Sequence, residues 1–221
     1  MPNNWTYRLF YFECIGGHIL PTYQALAQTV IINKENRLIH YDDSLQHVGT
    51  GRSAFVFRIK STMKAIKVYF PAFAYLAKEE TEIYEKLQDI AYYPTVYDSG
   101  SNYIVMDYIE GDTLFDCMSR GKVVTPAHMK TIDEALSLAV ARNLNPSDIH
   151  LRNIFITYAG EIKIIDVARF RQTKECRQWQ NLKKAYSTFY SKRLFPKKIP
   201  APCLNIIAVL YKKGCIPLYR A

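Results

Sequence analysis

The sequence predicts an α+β fold in which strands and one helix occupy the first half of the chain and helices dominate the second half. Two observations predict it. Short stretches of strand composition lie near residues 45–49, 53–59 and 63–69 and are separated by turn residues, which is typical of adjacent antiparallel strands. Residues 74–88 instead carry apolar side chains at helical spacing, and Pro126 opens a longer helical stretch, since proline suits the first turn of a helix.

The remaining elements of the first half complete a small sheet. A leader from Met1 to Gln46 is predicted to contain a helix near Tyr23 to Gln28 and a strand pair around Asn33–Asn36. Strands near residues 94–97 and 102–108 bring the predicted antiparallel sheet to five strands.

The second half is predicted to be mainly helical. A short helix is expected from Thr113, a longer one from about Pro126 to Arg142, and a β-ribbon around the loop that contains Asp148. A further amphipathic helix is predicted from about Lys174 to Arg193. Its apolar residues recur at intervals of three and four, and we expect them to pack in the core: Trp179, Leu182, Tyr186, Phe189 and Tyr190.

Composition favours one compact protein, because 221 residues with 49% hydrophobic content can bury a substantial core. The five cysteines, at positions 14, 117, 176, 203 and 215, include no Cys-x-x-Cys pair. This pattern favours the reducing cytoplasm and argues against a zinc site. Charged residues interrupt the apolar residues near the start, and the apolar stretch from Cys203 to Tyr211 is too short to cross a bilayer, so neither a secretion signal nor a transmembrane segment is expected.

Charge is distributed unevenly along the chain. Residues 167–221 contain thirteen Lys or Arg and a single acidic residue, Glu175, which gives this region a net charge of +12. Residues 1–166 carry 16 basic and 19 acidic groups, so the protein as a whole has a net charge of +9. A basic region of this kind attracts polyanions, and RNA or an acidic membrane surface is a possible partner. A solubilising helix face is the alternative interpretation.

A group of seven residues carries the chemistry. Transfer of a γ-phosphoryl group requires positioning and charge neutralisation more than covalent work. Taken singly, each residue has an ordinary interpretation as a turn glycine, a strand-end lysine, a helix-surface glutamate, or a turn or capping residue. Their fixed order, each on the element that its role requires, favours a phosphoryl-transfer site. The seven are Gly49, Gly51, Lys67, Glu80, Asp148, Asn153 and Asp166.

The first of these residues would form a phosphate cradle. Gly49 and Gly51 would let a hairpin backbone approach a triphosphate without Cβ collisions, and Val56 would cover the base from the returning strand. Lys67 would bind the α- and β-phosphate oxygens and be held by a carboxylate of the following helix. We assign that carboxylate to Glu80, because Ile83, Tyr84 and Leu87 follow on one helical face; Glu79 and Glu82 are the alternatives.

The later residues would supply the base and the metal ligands. Asp148 is placed to accept the proton of the acceptor hydroxyl. Asn153, five residues later, and Asp166, at the end of the apolar run Ile162–Ile165, would bind the Mg²⁺ ions that bridge the phosphates. The expected cofactors are therefore ATP and Mg²⁺.

From about Val48 to Phe170 the chain resembles the protein-kinase-like superfamily. The resemblance is carried by the Gly-rich run from Val48 to Val56, by Ala65-Ile66-Lys67, by the segment from Asp148 to Asn153 and by Asp166-Val167-Ala168. It implies a bilobal protein-kinase-like fold with a five-stranded antiparallel sheet plus one helix in the N-lobe and a short, mainly helical C-lobe. The implied division is an N-terminal extension at 1–47, an N-lobe at 48–107 and a minimal C-lobe with a basic helical region at 108–221.

The same resemblance implies a hinge after the fifth strand. Tyr103 to Gly111 is similar to that strand and hinge, with Met106 as the gatekeeper. Main-chain groups of Asp107 and Tyr108 would then face the adenine edge. Val48 and Ala65 are also assigned to the nucleotide site.

Departures from the family pattern indicate a subclass. Pro146-Ser147 precedes Asp148 in place of His-Arg or His-Gly, so the histidine that braces the loop is absent; His150 replaces a lysine typical of serine/threonine kinases; and Val167 replaces the usual phenylalanine. Only 55 residues follow Asp166, without an Ala-Pro-Glu motif. The chain is therefore most similar to small atypical kinases of bacterial type, namely the RIO, KEOPS-kinase and lipopolysaccharide-kinase groups.

The function expected from these residues is Mg-ATP-dependent phosphotransfer by an atypical serine/threonine protein kinase, with a protein or the chain itself as acceptor. A small hydroxyl compound as acceptor, or hydrolysis of ATP without transfer, is an alternative. A pseudokinase-like module that binds nucleotide or RNA and regulates a partner is the alternative from a different class. It is favoured by Pro146 and by the 55 residues after Asp166, which leave no room for the helices that form the substrate platform of typical kinases.

Overall fold

The structure is a computed structural model of the 221-residue chain, and it describes residues 12–15 and 18–215. The chain divides into two compact units. The first extends up to Thr81 and includes Val96–Tyr108, and the second consists of Glu82–Thr95 and the chain from Ile109 onwards.

Short elements precede the main sheet. They are β1 (Phe12–Ile15), β2 (His18–Pro21), α1 (Tyr23–Thr29), β3 (Ile31–Ile32) and β4 (Leu38–His40). The pairs β1–β2 and β3–β4 are antiparallel hairpins. Thr22 caps the N-terminus of α1, where its side-chain oxygen accepts a hydrogen bond from the Ala25 N–H at 3.2 Å. The helix near Tyr23 and the strand pair around Asn33–Asn36 are confirmed.

The main sheet of the first unit has five antiparallel strands in the order β5-β6-β7-β9-β8. Its elements are β5 (Leu45–Thr50), β6 (Ala54–Ile59), β7 (Lys64–Tyr69), β8 (Val96–Ser99) and β9 (Tyr103–Asp107), with α2 (Tyr75–Leu87) between β7 and β8. The predicted five-stranded antiparallel sheet with one helix is confirmed.

The two faces of this sheet carry different residues, and one of them forms the core of the unit. Because side chains alternate along a strand, every second residue of β6, β7 and β9 points to the same face. One face packs against Leu26 and Ala27 of α1 and forms the core of the unit; it includes Phe55, Phe57, Ile66, Val68 and Val105. The opposite face carries Val56, Ala65, Lys67, Ile104 and Met106, which are cross-strand neighbours.

The second unit combines helices with a three-stranded sheet in the order β10-β11-β12. Its elements are β10 (Gly111–Thr113), α3 (Leu114–Arg120), α4 (Pro126–Ala141), β11 (Ile154–Thr157), β12 (Ile162–Ile164), α5 (Gln178–Ala185) and α6 (Ala201–Lys212). The helices predicted from Thr113 and Pro126 and the β-ribbon are confirmed, and β10 adds a strand that the sequence analysis did not predict. None of the described helices has both the length and the apolar composition needed to span a membrane.

The helix predicted over Lys174 to Arg193 is only partly correct. It begins at Gln178 and changes into a π-helical turn over Tyr186–Tyr190, where the Ser191 N–H donates to the Tyr186 carbonyl at 2.8 Å. The wider turn ends the 3.6-residue spacing on which the predicted stripe depended. Trp179 and Tyr190 are buried as expected, but Phe189 is 41% exposed, so core packing is wrong for that residue.

Candidate functional site

A buried ion pair lies on the face of the five-stranded sheet opposite the face that packs on α1. The Lys67 Nζ donates to both carboxylate oxygens of Glu80, at 3.0 and 2.7 Å. Glu80 is fully buried and Lys67 is 8% exposed. The Tyr69 hydroxyl, two residues along the same strand, donates to the same carboxylate. Buried charges are tolerated only when they are paired and hydrogen-bonded, so this arrangement fixes the position of the Lys67 ammonium group.

The other two carboxylates considered for Lys67 have different surroundings. Glu79 is exposed on α2, and Glu82 forms an ion pair with Arg171 at 2.6 Å. The helical face that includes Ile83, Tyr84 and Leu87 is buried, and Glu80 lies on that side of the helix. The structure therefore joins Lys67 to the carboxylate that the helical spacing selected.

The Gly-rich hairpin lies beside Lys67 in the same sheet. Gly49 of β5 is paired with Val56 of β6, and Val56 is paired with Lys67 of β7. The Gly51 N–H donates to the Ala54 carbonyl at 2.9 Å and closes the turn between the strands. Val48, next to a register shift in β5, is 41% exposed. The register thus places the hairpin next to β7, the strand that carries the buried ammonium group.

The packing of the chain does not require glycine at the two hairpin positions. A Cβ at Gly49 would lie 3.8 Å from the Val56 Cβ, and one at Gly51 would lie 3.5 Å from the Ala54 oxygen; both are ordinary contacts. By contrast, a Cβ at Gly111 would lie 2.5 Å from the Ile156 oxygen. Neither hairpin glycine has a left-handed φ. Packing within the chain therefore does not explain glycine at these two positions, whereas close approach of a bound group to the hairpin backbone would.

Strand pairing and hydrogen bonds hold the end of β9 in place. Met106 is 7% exposed and is paired with the buried Ala65. The Asp107 carboxylate accepts a hydrogen bond from the Tyr97 hydroxyl at 2.7 Å, and this bond raises the pKa of Tyr97. The Tyr108 N–H donates to the Met63 carbonyl at 2.9 Å. That N–H is therefore used inside the protein, and only the carbonyl of Tyr108 stays a candidate for base contact.

Two of the predicted residues in the second unit have left-handed backbones. Asp148 has φ 60° and Asp166 has φ 59°. For a residue other than glycine this conformation costs on the order of 1–3 kcal/mol, and such residues cluster at functional sites. Aspartate tolerates it better than most residue types because its short side chain can hydrogen-bond locally.

Strand register brings three predicted residues of the second unit together. Ile154 pairs with Ile164 at adjacent ends of β11 and β12, so Asn153 and Asp166 flank the same end of the ribbon. The Ile165 N–H donates to the Asn153 carbonyl at 2.9 Å. The Asn153 amide nitrogen donates to the Asp148 carbonyl at 3.2 Å, which leaves the amide oxygen as the group that can accept or coordinate.

Comparison with known proteins adds to this geometry. Residues 43–192, well over half of the chain, match the family described as "Protein kinase domain". The chain belongs to the protein kinase family. It is 47% identical over 195 residues to a Bacillus subtilis (strain 168) protein named "Putative serine/threonine-protein kinase YrzF", an alignment that covers 86% of this chain and 91% of that protein. The α+β protein-kinase-like fold is confirmed, and the protein is a phosphotransferase.

The kinase supports its Asp148 loop without the missing histidine. The Asn145 N–H donates to the Phe170 carbonyl at 2.7 Å, and the Asn145 amide donates to the carbonyls of Gln172 and Lys174 at 2.7 and 3.0 Å. The fully buried Ser147 donates from its hydroxyl to the Asn145 carbonyl at 2.9 Å. These bonds tie the loop to the segment that follows Asp166.

Phe170 anchors the segment after Asp166, a role that the sequence alone did not predict. Val167 replaces the usual phenylalanine and is fully buried. Phe170, three residues later, is fully buried as well and packs edge-to-face on Tyr93 with ring centroids 6.2 Å apart. The segment after Asp166 is therefore anchored by packing despite the substitution at position 167.

Arg169 is a second residue that the sequence analysis missed. Its Nε lies 3.5 Å from the Asp148 carboxylate, and its side chain is 57% exposed. The guanidinium places a positive charge beside the predicted base. The only signal in the sequence was a basic residue three positions after Asp166.

The second unit offers two side chains, those of Asn153 and Asp166, as ligands for a metal ion that is also bound by phosphate. Within the described residues, no three His, Cys, Asp or Glu side chains converge to form a cage made of protein groups alone. An ion held by the Asn153 amide oxygen and the exposed Asp166 carboxylate would take its other ligands from phosphate and water. This division of ligands is typical of Mg²⁺ at nucleotide sites, so the residues present fit the ion.

Proposed function

We propose that the kinase transfers the γ-phosphoryl group of Mg-ATP to a hydroxyl group of a protein, as an atypical serine/threonine protein kinase. The observation that carries the proposal is the buried Lys67–Glu80 pair, which holds an ammonium group on the sheet face next to the hairpin that contains Gly49 and Gly51. A fold that needed only stability would gain as much from an apolar pair at these positions.

The residues of the first unit would bind the nucleotide. Lys67 would contact the α- and β-phosphates, and backbone N–H groups of the hairpin would approach the other phosphate oxygens. Val56 and Ala65, on the same face of the sheet, would contact the base, with Met106 at its inner edge. The main-chain carbonyls of Asp107 and Tyr108 would supply hydrogen-bond acceptors.

The residues of the second unit would act at the transferred group. Asp148 would accept the proton of the attacking hydroxyl, and Asn153 and Asp166 would hold the metal ion. Bound Mg²⁺ supplies charge neutralisation at the bridging and terminal phosphate oxygens. Arg169 would orient the Asp148 carboxylate before the acceptor arrives and would offer a cation to the transferred phosphoryl group.

The acceptor class is proposed from the relative. The name of the Bacillus subtilis relative describes a serine/threonine-protein kinase, and the identity of 47% extends over most of both chains. Transfer to a residue of this same chain is included in the proposal. A small hydroxyl compound is the second candidate acceptor, because His150 stands where serine/threonine protein kinases typically carry a lysine.

The basic region at 167–221 is proposed to attract a polyanionic partner. Part of its charge is used inside the protein: Lys183 pairs with Asp133 at 2.8 Å, and the Lys197 ammonium donates to the carbonyls of Tyr190 and Lys192. The partner would therefore be met by the exposed basic residues Lys192, Arg193, Lys198, Lys212 and Lys213.

The first test is transfer of label from γ-labelled Mg-ATP by the wild type and by two Asp148 variants. We expect wild-type turnover, with a loss of about 1,000-fold in Asp148→Asn and Asp148→Ala, because the acceptor proton has no base. The asparagine variant tolerates the left-handed backbone and so controls for strain. Unchanged turnover in Asp148→Asn would refute the assigned base, and nucleotide binding without turnover in the wild type would favour a regulatory binding module.

The hairpin glycines give a second test. Gly51→Ala is expected to raise the KM for ATP about tenfold with little change in melting temperature, because the added methyl group fits the chain but occupies space proposed for phosphate. Gly111→Ala is the matched control and should lower the melting temperature, because its Cβ collides with the Ile156 oxygen. Steady-state kinetics and thermal unfolding measure both effects. A KM for Gly51→Ala equal to that of the wild type would contradict the cradle.

A further inference from the structure

The last helix of the structure presents an apolar face to solvent. Four large aliphatic side chains of α6 are 41–58% exposed, whereas Leu204 on the other side is 6% exposed. At 100° per residue the four lie within one side of the helix. We call this the outer face of α6: Ile206, Ile207, Val209 and Leu210.

The inner side of α6 is fixed to the second unit. Leu204 is buried there, and α6 lies against α3. The Tyr211 hydroxyl accepts a hydrogen bond from the Asn181 amide at 2.9 Å, and the Asn205 side chain accepts one from Arg152 at 2.9 Å. These contacts on the inner side hold the helix with its outer face turned away from the unit.

The residues that flank α6 along the chain are basic. Glu175 is the last acidic residue of the sequence. Lys198 precedes α6, Lys212 ends it and Lys213 follows it, and all three side chains are exposed. Along the chain α6 therefore lies between exposed lysines, and residues 176–221 contain no acidic residue.

The structure assigns the outer face of α6 to the surface of an anionic lipid bilayer. Aliphatic side chains flanked by lysines are the combination that lies in the interface plane, with apolar groups in the acyl boundary and ammonium groups among anionic headgroups. A helix of 12 residues is about 18 Å long, far short of the bilayer core, so it would lie on the membrane and not cross it.

Two other occupants fit less well. In a second copy of the chain, packing outer face on outer face would bring like charges together, and one helix of this length offers much less than the roughly 800 Å² per partner of a standard interface. RNA would be attracted by the lysines alone, because phosphate contacts make no use of an exposed aliphatic face. Of these three occupants, the lipid surface is the one that uses both the aliphatic side chains and the lysines.

The test is binding of the full-length chain to vesicles of phosphatidylcholine with and without phosphatidylglycerol, measured by flotation. We expect binding that requires phosphatidylglycerol and weakens with added salt. Ile206→Ser/Leu210→Ser and Lys212→Gln/Lys213→Gln should each weaken the partition coefficient at least tenfold. Val140→Ser on α4 is the matched control, because Val140 is 58% exposed like Ile206, and it should bind as the wild type does.

Several outcomes would overturn the assignment. Circular dichroism and thermal unfolding first establish that each variant is folded, as expected for substitutions of exposed residues. Absence of vesicle binding, equal binding to phosphatidylcholine alone, or wild-type binding by Ile206→Ser/Leu210→Ser would each exclude the lipid surface. A single-stranded RNA bound in preference to vesicles would assign the flanking lysines to nucleic acid, and an oligomer that the serine variant dissociates would assign the face to a second copy; either result would exclude the lipid surface. None of these results depends on phosphotransfer activity.

Discussion

Replacing Asp166 should remove magnesium-dependent nucleotide binding. In Asp166→Asn we expect the affinity for ATP in the presence of Mg²⁺ to fall about 100-fold or more, because the variant loses the one carboxylate proposed to face the ion. The asparagine side chain keeps the local tolerance for φ 59°, so the loss would not come from backbone strain. Asp166→Ala should show the same loss with an added decrease in stability.

The measurement is a nucleotide titration, by calorimetry or with a fluorescent analogue, with Mg²⁺ and again with a chelator. Asp148→Asn is the control, because a base for the acceptor hydroxyl is not needed to hold ATP, and its affinity should stay within a few-fold of the wild type. If Asp166→Asn bound Mg-ATP like the wild type, the metal would have to be held elsewhere. If the chelator left wild-type affinity unchanged, the magnesium part of the proposal would fail.

Breaking the Lys67–Glu80 pair should damage both stability and activity. Lys67→Met leaves the Glu80 carboxylate fully buried without its ammonium partner. Removal of one partner from such a pair costs about 3 to 5 kcal/mol. Turnover should fall about 100-fold or more, because the phosphate contact proposed for Lys67 is lost as well.

A double variant separates the two effects. Lys67→Met/Glu80→Gln removes the buried charge and keeps an acceptor for the Tyr69 hydroxyl, so we expect at least half of the lost unfolding free energy to return. Activity should not return with it, because the ammonium group is still absent. Denaturant unfolding and label transfer from ATP measure the two quantities on the same preparations. Activity restored together with stability would show that Lys67 has only a structural role.

The sequence predicted the elements that depend on local pattern. The hairpin around Gly49 and Gly51, the strand that ends at Asp107 and the helix that carries Glu80 all lie where spacing placed them. The pairing of Lys67 with Glu80 could also be anticipated, because helical periodicity fixes which face of α2 is buried.

Features that depend on tertiary contacts could not be predicted in this way. Asn145 supports the Asp148 loop by reaching carbonyls up to 29 residues away, and no local spacing encodes such bonds. Arg169 meets Asp148 only because the strand register folds the chain back between them. The π-helical turn that exposes Phe189 replaces a regular helix whose apolar pattern looked continuous.

The left-handed backbones of Asp148 and Asp166 determine which substitutions would stabilise the protein at these two positions. Glycine adopts that conformation without steric cost, so replacing either aspartate by glycine would relieve strain while removing a reactive carboxylate. Improved folding and lost chemistry would then arise from the same substitution, a trade-off between stability and activity. A screen that rewards yield or heat resistance alone would therefore select inactive proteins at these two positions, and only a screen that also measures turnover would retain the aspartates.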